Sequence, residues 1–415
     1  MKMTLIPRPR GGCFIAPPSK SEAQRALLCA ALADAPTQLV CPSVARDIAL
    51  MCGGLRALGA GIVRAADGFS VTPLTCASEH AVIDCGESGA VQRFLLPVAG
   101  ALGVRTEFRR SARLSERPIA PLTDLMQAHG CRISVPNETS LLCDGRLRGG
   151  HYAIGGGVSS QFVSGLLLAL PLLGQAVGLT LLPPIVSKNY IALTHQVQSR
   201  FGVCWEETAD GFSLRGGRQY RAPQERFVVG GDWSGAAVWL CLGAISRAVE
   251  VRGLDLASLQ PDRKILELLH RFGAETAVKN GAVLIAPRPL HGIDAALDDC
   301  PDLLPPLTAV AAAAAEGTTR FTGIARLRWK ESDRPQALAQ MLNALGGQAE
   351  LKGDTLILRG GRRLRGGEVD TCGDHRIAMT AALLSCLCTA SLILSDAACV
   401  EKSYPQFWEH WEGAE

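Results

Sequence analysis

Ser19-Lys20-Ser21-Glu22-Ala23-Gln24-Arg25 follows Pro17-Pro18 and runs into the apolar stretch 26–33. Hydroxyl residues at a helix start, with two cations near its first turn, are a means of holding an anion. The first amides of a helix lack internal partners and carry partial positive charge. Similar concentrations of charge and hydroxyl recur along the chain. Gly86-Glu87-Ser88-Gly89, with Arg93, is followed by Arg113-Leu114-Ser115-Glu116-Arg117-Pro118. Ser159-Ser160-Gln161 is followed by Ser187-Lys188-Asn189-Tyr190, and Asp302 by Lys330-Glu331-Ser332-Asp333-Arg334. Asp374-His375-Arg376 is followed by Lys402-Ser403-Tyr404-Pro405. Each alone reads equally well as a capped, solvated helix start. Together they exceed what packing needs, and cations beside carboxylates suit binding polyanions and moving protons.

The elements that must position these residues repeat. Glycines Gly59, Gly130, Gly202, Gly273 and Gly346 each follow an apolar or aromatic residue or a His and recur every 71 to 73 residues. Each precedes a strand, a polar turn (Asp67-Gly68, Asn137-Glu138, Asp210-Gly211, Asn280-Gly281, Gly353-Asp354) and a second strand. A glycine caps a helix in the left-handed conformation, and Asp-Gly or Asn-Gly joins hairpin strands, so the pattern predicts a repeated α/β unit. The polar helix starts lead into apolar stretches at 26–33, 94–102, 162–173, 236–245, 307–315 and 377–387. Helices apolar nearly all round must be buried, here among sheets. The sixth hairpin phrase is missing. The closing helix at 404–411 is expected to take its partner strands from 4–15, so that both termini complete one unit. Ala222-Pro223-Gln224 breaks the rhythm after three units. We therefore expect one domain at 19–227 and another at 1–18 plus 228–415, with a two-strand hinge near 16–19 and 222–230.

With 415 residues, 47% apolar and 20% charged, the chain has enough material for two well-buried cores. A net charge of +3 without a basic run argues against nucleic acid. Fifteen scattered cysteines have no zinc-site spacing and read as reduced thiols, and Met1-Lys2-Met3-Thr4-Leu5 lacks a signal-peptide apolar region. The leucine-rich stretch 166–173 is too short to cross a membrane. The expectation is a cytoplasmic protein.

Pro18-Ser19-Lys20-Ser21 with Arg25, Arg113 with Glu116-Arg117-Pro118, Ser159-Ser160-Gln161, Lys330-Glu331-Ser332-Asp333-Arg334, Asp374-His375-Arg376-Ile377-Ala378-Met379 and Lys402-Ser403-Tyr404-Pro405 resemble the 5-enolpyruvylshikimate-3-phosphate synthases. The matches keep their order from about residue 5 to 408. The resemblance implies the enolpyruvyl transferase fold: two similar domains of three α/β units each, an inside-out α/β barrel with buried parallel helices surrounded by sheets and helix starts facing an interdomain cleft. It implies transfer of the enolpyruvyl group of phosphoenolpyruvate to the 5-hydroxyl of shikimate 3-phosphate, with no metal or organic cofactor, by a monomer.

By the same resemblance, Lys20, Gly89, Arg113, Arg334, Arg376 and Lys402 hold phosphoenolpyruvate. Lys20, Ser21, Arg25, Ser159, Ser160, Gln161, Ser187, Tyr190, Asp302 and Lys330 hold shikimate 3-phosphate. Asp302 acts as base, Glu331 as acid aided by Lys20, and His375 supports. The chain departs from the family pattern at Glu87 (commonly Asn), Ala90, Pro18, Ala23-Gln24, Asn189 and Arg326. A carboxylate at Glu87 is expected to weaken phosphoenolpyruvate binding unless Arg93 or Arg117 pairs with it. Two other readings fit parts of the pattern. The related UDP-N-acetylglucosamine enolpyruvyl transferases carry a reactive Cys on a mobile loop, and the matching stretch 109–117 has none. The second is a silent anion-binding paralogue, which the retained Asp302 and Glu331 speak against.

Overall fold

The structure is a computed structural model that describes residues 1–216 and 219–414; Glu415, the end of the second expected domain, lies outside the described residues. It divides into two compact units, Lys20–Val229 and Met1–Ser19 with Gly230–Glu415. The division falls a residue or two from the expected boundaries, for a local reason. Residues 228 and 229 stay with the first unit because Phe227–Val228 runs parallel to Thr37–Val40. Ser19 goes with the other, its amide donating to the Gly230 carbonyl at 2.8 Å.

Both units are built from one repeat: edge strand, buried helix, central strand, outer helix, hairpin. His80–Gly86 leads through helix Gly89–Leu102 to the parallel strand Arg105–Arg110. Helix Ala120–Ala128 then gives the hairpin Cys131–Asn137 and Ser140–Gly145, which pairs antiparallel with the central strand. A connection between parallel strands needs a crossover, and the apolar helix supplies it. All five expected hairpins form, and Gly59, Gly130, Gly202, Gly273 and Gly346 all have positive φ. That backbone region costs a Cβ, which is why glycine marks each helix end.

The six apolar stretches become buried helices Lys20–Ala31, Gly89–Leu102, Ser160–Ala169, Trp233–Ile245, Leu304–Ala313 and His375–Ser385. In the fourth, every residue from Trp233 to Ala244 is buried. Close approach decides one pairing. Pro97 has no amide to give the Arg93 carbonyl one turn earlier, and Gly165 of the third helix packs onto that oxygen; a Cβ there would lie 2.1 Å from it. Ser88, Ser159, Asp232 and Asp374 cap their helices by accepting from backbone amides in the first turn.

The termini need a correction. Met3–Leu5 pairs antiparallel with Leu392–Leu394 and completes the last sheet. Gly12–Ile15 instead pairs parallel with Val249–Arg252, becoming the edge strand of a different sheet. The stretch 4–15 therefore serves two repeats. In the same way Phe227–Val228 closes the first sheet of the other unit. Each unit thus borrows a strand from a distant part of the chain to finish a repeat. Among the described residues no helix is long and apolar enough to cross a membrane.

Candidate active site

Each unit carries its own set of the expected residues. In Lys20–Val229 most of them lie at or near helix starts. Lys20 begins helix Lys20–Ala31, and its Nζ pairs with Asp47 Oδ2 at 3.0 Å. Gln24 donates to the Asp47 carbonyl at 3.1 Å and so helps place that acid. Arg25 is almost fully buried over the Phe94 ring. Its Nε donates to Thr194 Oγ1 at 2.7 Å and Nη1 to the Ser21 carbonyl at 2.8 Å. Nη2 reaches Ser164 Oγ and the Tyr190 carbonyl, both at 3.3 Å. Burial lowers the Arg25 pKa to about 10. Arg25 therefore ties Ser21 to the helix Lys188–Arg200 that carries Tyr190. Ser187, just before that helix, is buried and left-handed at φ 51°.

A second group surrounds Gly89, the first residue of its helix. A Cβ built there would lie 3.3 Å from Arg117 Nη1 and 3.4 Å from both Arg93 Nη1 and Gln161 Oε1. Arg93 Nη1 donates to Gln161 Oε1 at 2.8 Å and Nη2 to the Pro118 carbonyl at 3.1 Å. Ser159 caps the helix that begins at Ser160, its Oγ accepting from the Gln161 amide at 3.2 Å. Arg113 pairs with Glu116 at 2.8 Å, a partly exposed contact within one turn. The arginines against Gly89 are Arg93 and Arg117, neither of which the motif reading assigned to a ligand. The helical spacing of Gly89 and Arg93 was the available signal, since residues four apart share a face. Asp47, 27 residues from Lys20, had none.

The other unit gathers the acids. Arg334, 1% exposed, is enclosed by three carboxylates. Its Nε donates to Asp374 Oδ2 at 2.8 Å, Nη1 to Asp302 Oδ1 at 2.7 Å and Nη2 to Glu331 Oε2 at 2.8 Å. Around this centre Lys330 Nζ lies 3.5 Å from Asp302 Oδ1, and Arg376 Nη2 lies 3.5 Å from Asp302 Oδ2. Lys402 Nζ is 3.5 Å from Glu331 Oε1. Asp374 also accepts from Ser332 Oγ at 2.9 Å and caps helix His375–Ser385 through the Arg376 amide at 2.9 Å. His375 is buried behind this group, its Nδ1 3.5 Å from Asp374 Oδ1. Arg326 donates to the Asp298 carbonyl. Of the seven residues assigned to this unit by sequence, Asp302, Lys330, Glu331, Arg334, Arg376 and Lys402 fall in one connected network, and the seventh, His375, adjoins it through Asp374.

Electrostatics follows from the enclosure. Burial pushes the Asp302 carboxyl up, but Arg376, Lys330 and Arg334 together hold it well below the usual carboxylate range. Asp374 is likewise lowered: Arg334 and the neighbouring His375 outweigh its burial. Burial lowers Lys330. Burial works to lower Arg376, but Asp302, Asp262 and Asp232 together raise it. Asp302 and Asp374 are thus ionised acids, with Arg334, Arg376 and Lys330 as their counterions.

The family model described as EPSP synthase (3-phosphoshikimate 1-carboxyvinyltransferase) matches residues 8–411. A 3-phosphoshikimate 1-carboxyvinyltransferase of Clostridium kluyveri is 36% identical over 398 residues, covering 95% of this chain and 92% of the relative. One from Methanocorpusculum labreanum is 35% identical over 414 residues, covering 98% and 97%. The fold matches EPSP synthase from Acinetobacter baumannii with a TM-score of 0.82 at 24% identity, over 100% and 98% of the two chains. It also matches the enolpyruvyl transferase NikO from Streptomyces tendae with a TM-score of 0.78 at 19% identity, over 99% and 97%. With a family model spanning nearly the whole chain and relatives above one-third identity across it, this chain belongs to the EPSP synthase (3-phosphoshikimate 1-carboxyvinyltransferase) family.

Proposed function

We propose that the protein transfers the enolpyruvyl group of phosphoenolpyruvate to the 5-hydroxyl of shikimate 3-phosphate and releases phosphate, a step of aromatic amino-acid biosynthesis. Family membership supports the reaction. The observation that carries the residue roles is the enclosure of Arg334 by Asp302, Glu331 and Asp374, with Lys330, Arg376 and Lys402 around it. Acids able to move protons stand within one network of cations able to hold phosphate and carboxylate.

In this reading Lys20, Gly89, Arg113, Arg334, Arg376 and Lys402 serve phosphoenolpyruvate. Lys20, Ser21, Arg25, Ser159, Ser160, Gln161, Ser187, Tyr190, Asp302 and Lys330 serve shikimate 3-phosphate. Arg93 and Arg117 join the first group through their approach to Gly89. Each charge-assisted hydrogen bond contributes about 1.5–3 kcal/mol net.

Asp302 takes the proton of the 5-hydroxyl as its oxygen attacks C2 of phosphoenolpyruvate, while Glu331, aided by Lys20, protonates C3. A tetrahedral intermediate results. Glu331 then removes a proton from C3, the C2=C3 bond re-forms, the C2–O bond to phosphate breaks, and Asp302 returns its proton to the leaving phosphate. Three cations held to Asp302 make it a weak base in the ligand-free protein. Substrate anions sharing Arg334, Arg376 and Lys330 relieve that hold, so basicity rises when substrate is present. His375 supports Asp374 from behind.

The protein is read as a cytoplasmic monomer. A phosphate-release assay with both substrates tests the reading, with UDP-N-acetylglucosamine as the control acceptor. Phosphate is expected only with shikimate 3-phosphate, and its absence at high enzyme concentration overturns the proposal.

A further inference from the structure

One buried acid beside this network has no part in the roles above. Asp262 is 1% exposed and lies in the turn Pro261–Lys264. The turn is fastened to the start of helix Trp233–Ile245. Gln260 Oε1 accepts from the Trp233 amide at 3.0 Å, and Gln260 Nε2 donates to the Gly231 carbonyl at 2.8 Å. Asp262 is thereby held where the Ser234 hydroxyl donates to its Oδ2. Its Oδ1 is buried and has no hydrogen-bond partner among the described residues. A buried carboxylate with one oxygen unsatisfied is costly, and a neutral acid far less so.

The charges facing Asp262 come from several elements. Asp232 before helix Trp233–Ile245 and Asp302 in the turn Pro301–Leu303 repel its ionised form, while Arg376 of helix His375–Ser385 and Lys330 favour it. Cys300 and Lys264 stand nearby. Burial, aided by Asp302, brings the Asp262 pKa up to about 8.

We infer that Asp262 sets the charge of the anion site, being a neutral acid in the anion-bound protein and taking up a proton as the anion arrives. The inference rests on the reading of Arg376 and Lys330 as anion ligands. An anion on these two cations cancels the attraction that favours ionised Asp262 and leaves burial and the repulsion of Asp302 and Asp232. Proton binding at Asp262 and anion binding then reinforce each other, by equal factors. Lowering the pH through the Asp262 range strengthens anion binding; raising it weakens binding by up to about tenfold per pH unit for one linked proton.

Asp262→Asn keeps the shape and an acceptor for Ser234 while fixing the group neutral. Two readouts are used across pH 6.5 to 9.5. The first is the KM for phosphoenolpyruvate at saturating shikimate 3-phosphate. The second is calorimetric proton uptake on adding phosphoenolpyruvate alone, in buffers of different ionisation enthalpy. The expected result is a rise in KM above about pH 8 and net proton uptake in the unmodified protein, both lost in Asp262→Asn. Ser234→Ala removes the donor that favours the ionised form, so it should move the rise to higher pH, and it serves as the test should Asp262→Asn not fold. A KM rise and proton uptake that persist in Asp262→Asn overturn the inference, as does a profile unmoved by Ser234→Ala. Absence of phosphate release at every pH would overturn the enzymatic reading instead, while proton uptake on binding is read without turnover.

Discussion

Arg334 grips both oxygens of Asp374, through Nε at 2.8 Å and Nη2 at 3.3 Å, and the same carboxylate caps the helix that presents Arg376. One buried acid thus fixes two of the cations assigned to phosphoenolpyruvate. Asp374→Asn removes the charge but not the volume and leaves Arg334 undercompensated. Breaking one side of a buried pair costs about 3–5 kcal/mol. Urea denaturation should show a loss of that order, and a change below about 0.5 kcal/mol, the scale of a neutral surface substitution, would mean that the pair is structurally idle.

Asp302 and Asp374 are both held below the ordinary carboxylate range. A carboxyl lowered by folding adds stability that is present above its unfolded value, about 3.9, and is lost as pH falls through the folded value. Resistance to urea should therefore drop on acidification below about pH 4. Asp302→Asn should flatten part of that drop; an acid limb identical to the unmodified protein's would contradict it.

Glu331→Gln keeps the contacts with Arg334 and Lys402 sterically possible while removing the proton donor. A positioned acid or base contributes about 10²–10⁴-fold. Rapid-quench turnover with Glu331→Gln and with Asp302→Asn should each fall by that factor, while unfolding stays cooperative. Near-normal kcat in either variant would remove that residue from its proposed role.

Arg25 spends its donors on Thr194, Ser21, Ser164 and Tyr190. A lysine cannot reproduce this planar fork, and each buried acceptor left unsatisfied costs about 1–3 kcal/mol. Arg25→Lys should lower stability by a few kcal/mol and raise the KM for shikimate 3-phosphate. A variant weakened only in substrate affinity would show that Arg25 is a ligand without a structural part.

Glu87 is exposed, two residues before Gly89, whose surroundings hold Arg93 and Arg117. Replacing it with Asn removes a negative charge from the neighbourhood proposed to hold phosphoenolpyruvate. The KM for phosphoenolpyruvate should fall severalfold in Glu87→Asn, more at low salt than at high. No change at low ionic strength would place Glu87 outside the site.

The sequence by itself determined the parts governed by local chemistry. Gly59 through Gly346 marked helix ends because only glycine takes that backbone cheaply, and the apolar stretches became buried helices because no face of them suits water. Motifs kept within a few residues, such as Lys330 to Arg334, carried their chemistry in order alone. Tertiary structure decided what depends on residues far apart in the chain. It sent Gly12–Ile15 to Val249–Arg252 while Met3–Leu5 went to Leu392–Leu394, a choice between sheets that strand periodicity does not encode. It paired Lys20 with Asp47, brought Arg117 beside Gly89, and packed Asp302, Glu331 and Asp374 around one guanidinium. It also buried Asp262 under Ser234. Charge states in such places follow from desolvation and from neighbours within a few ångströms, and both exist only once the chain has folded.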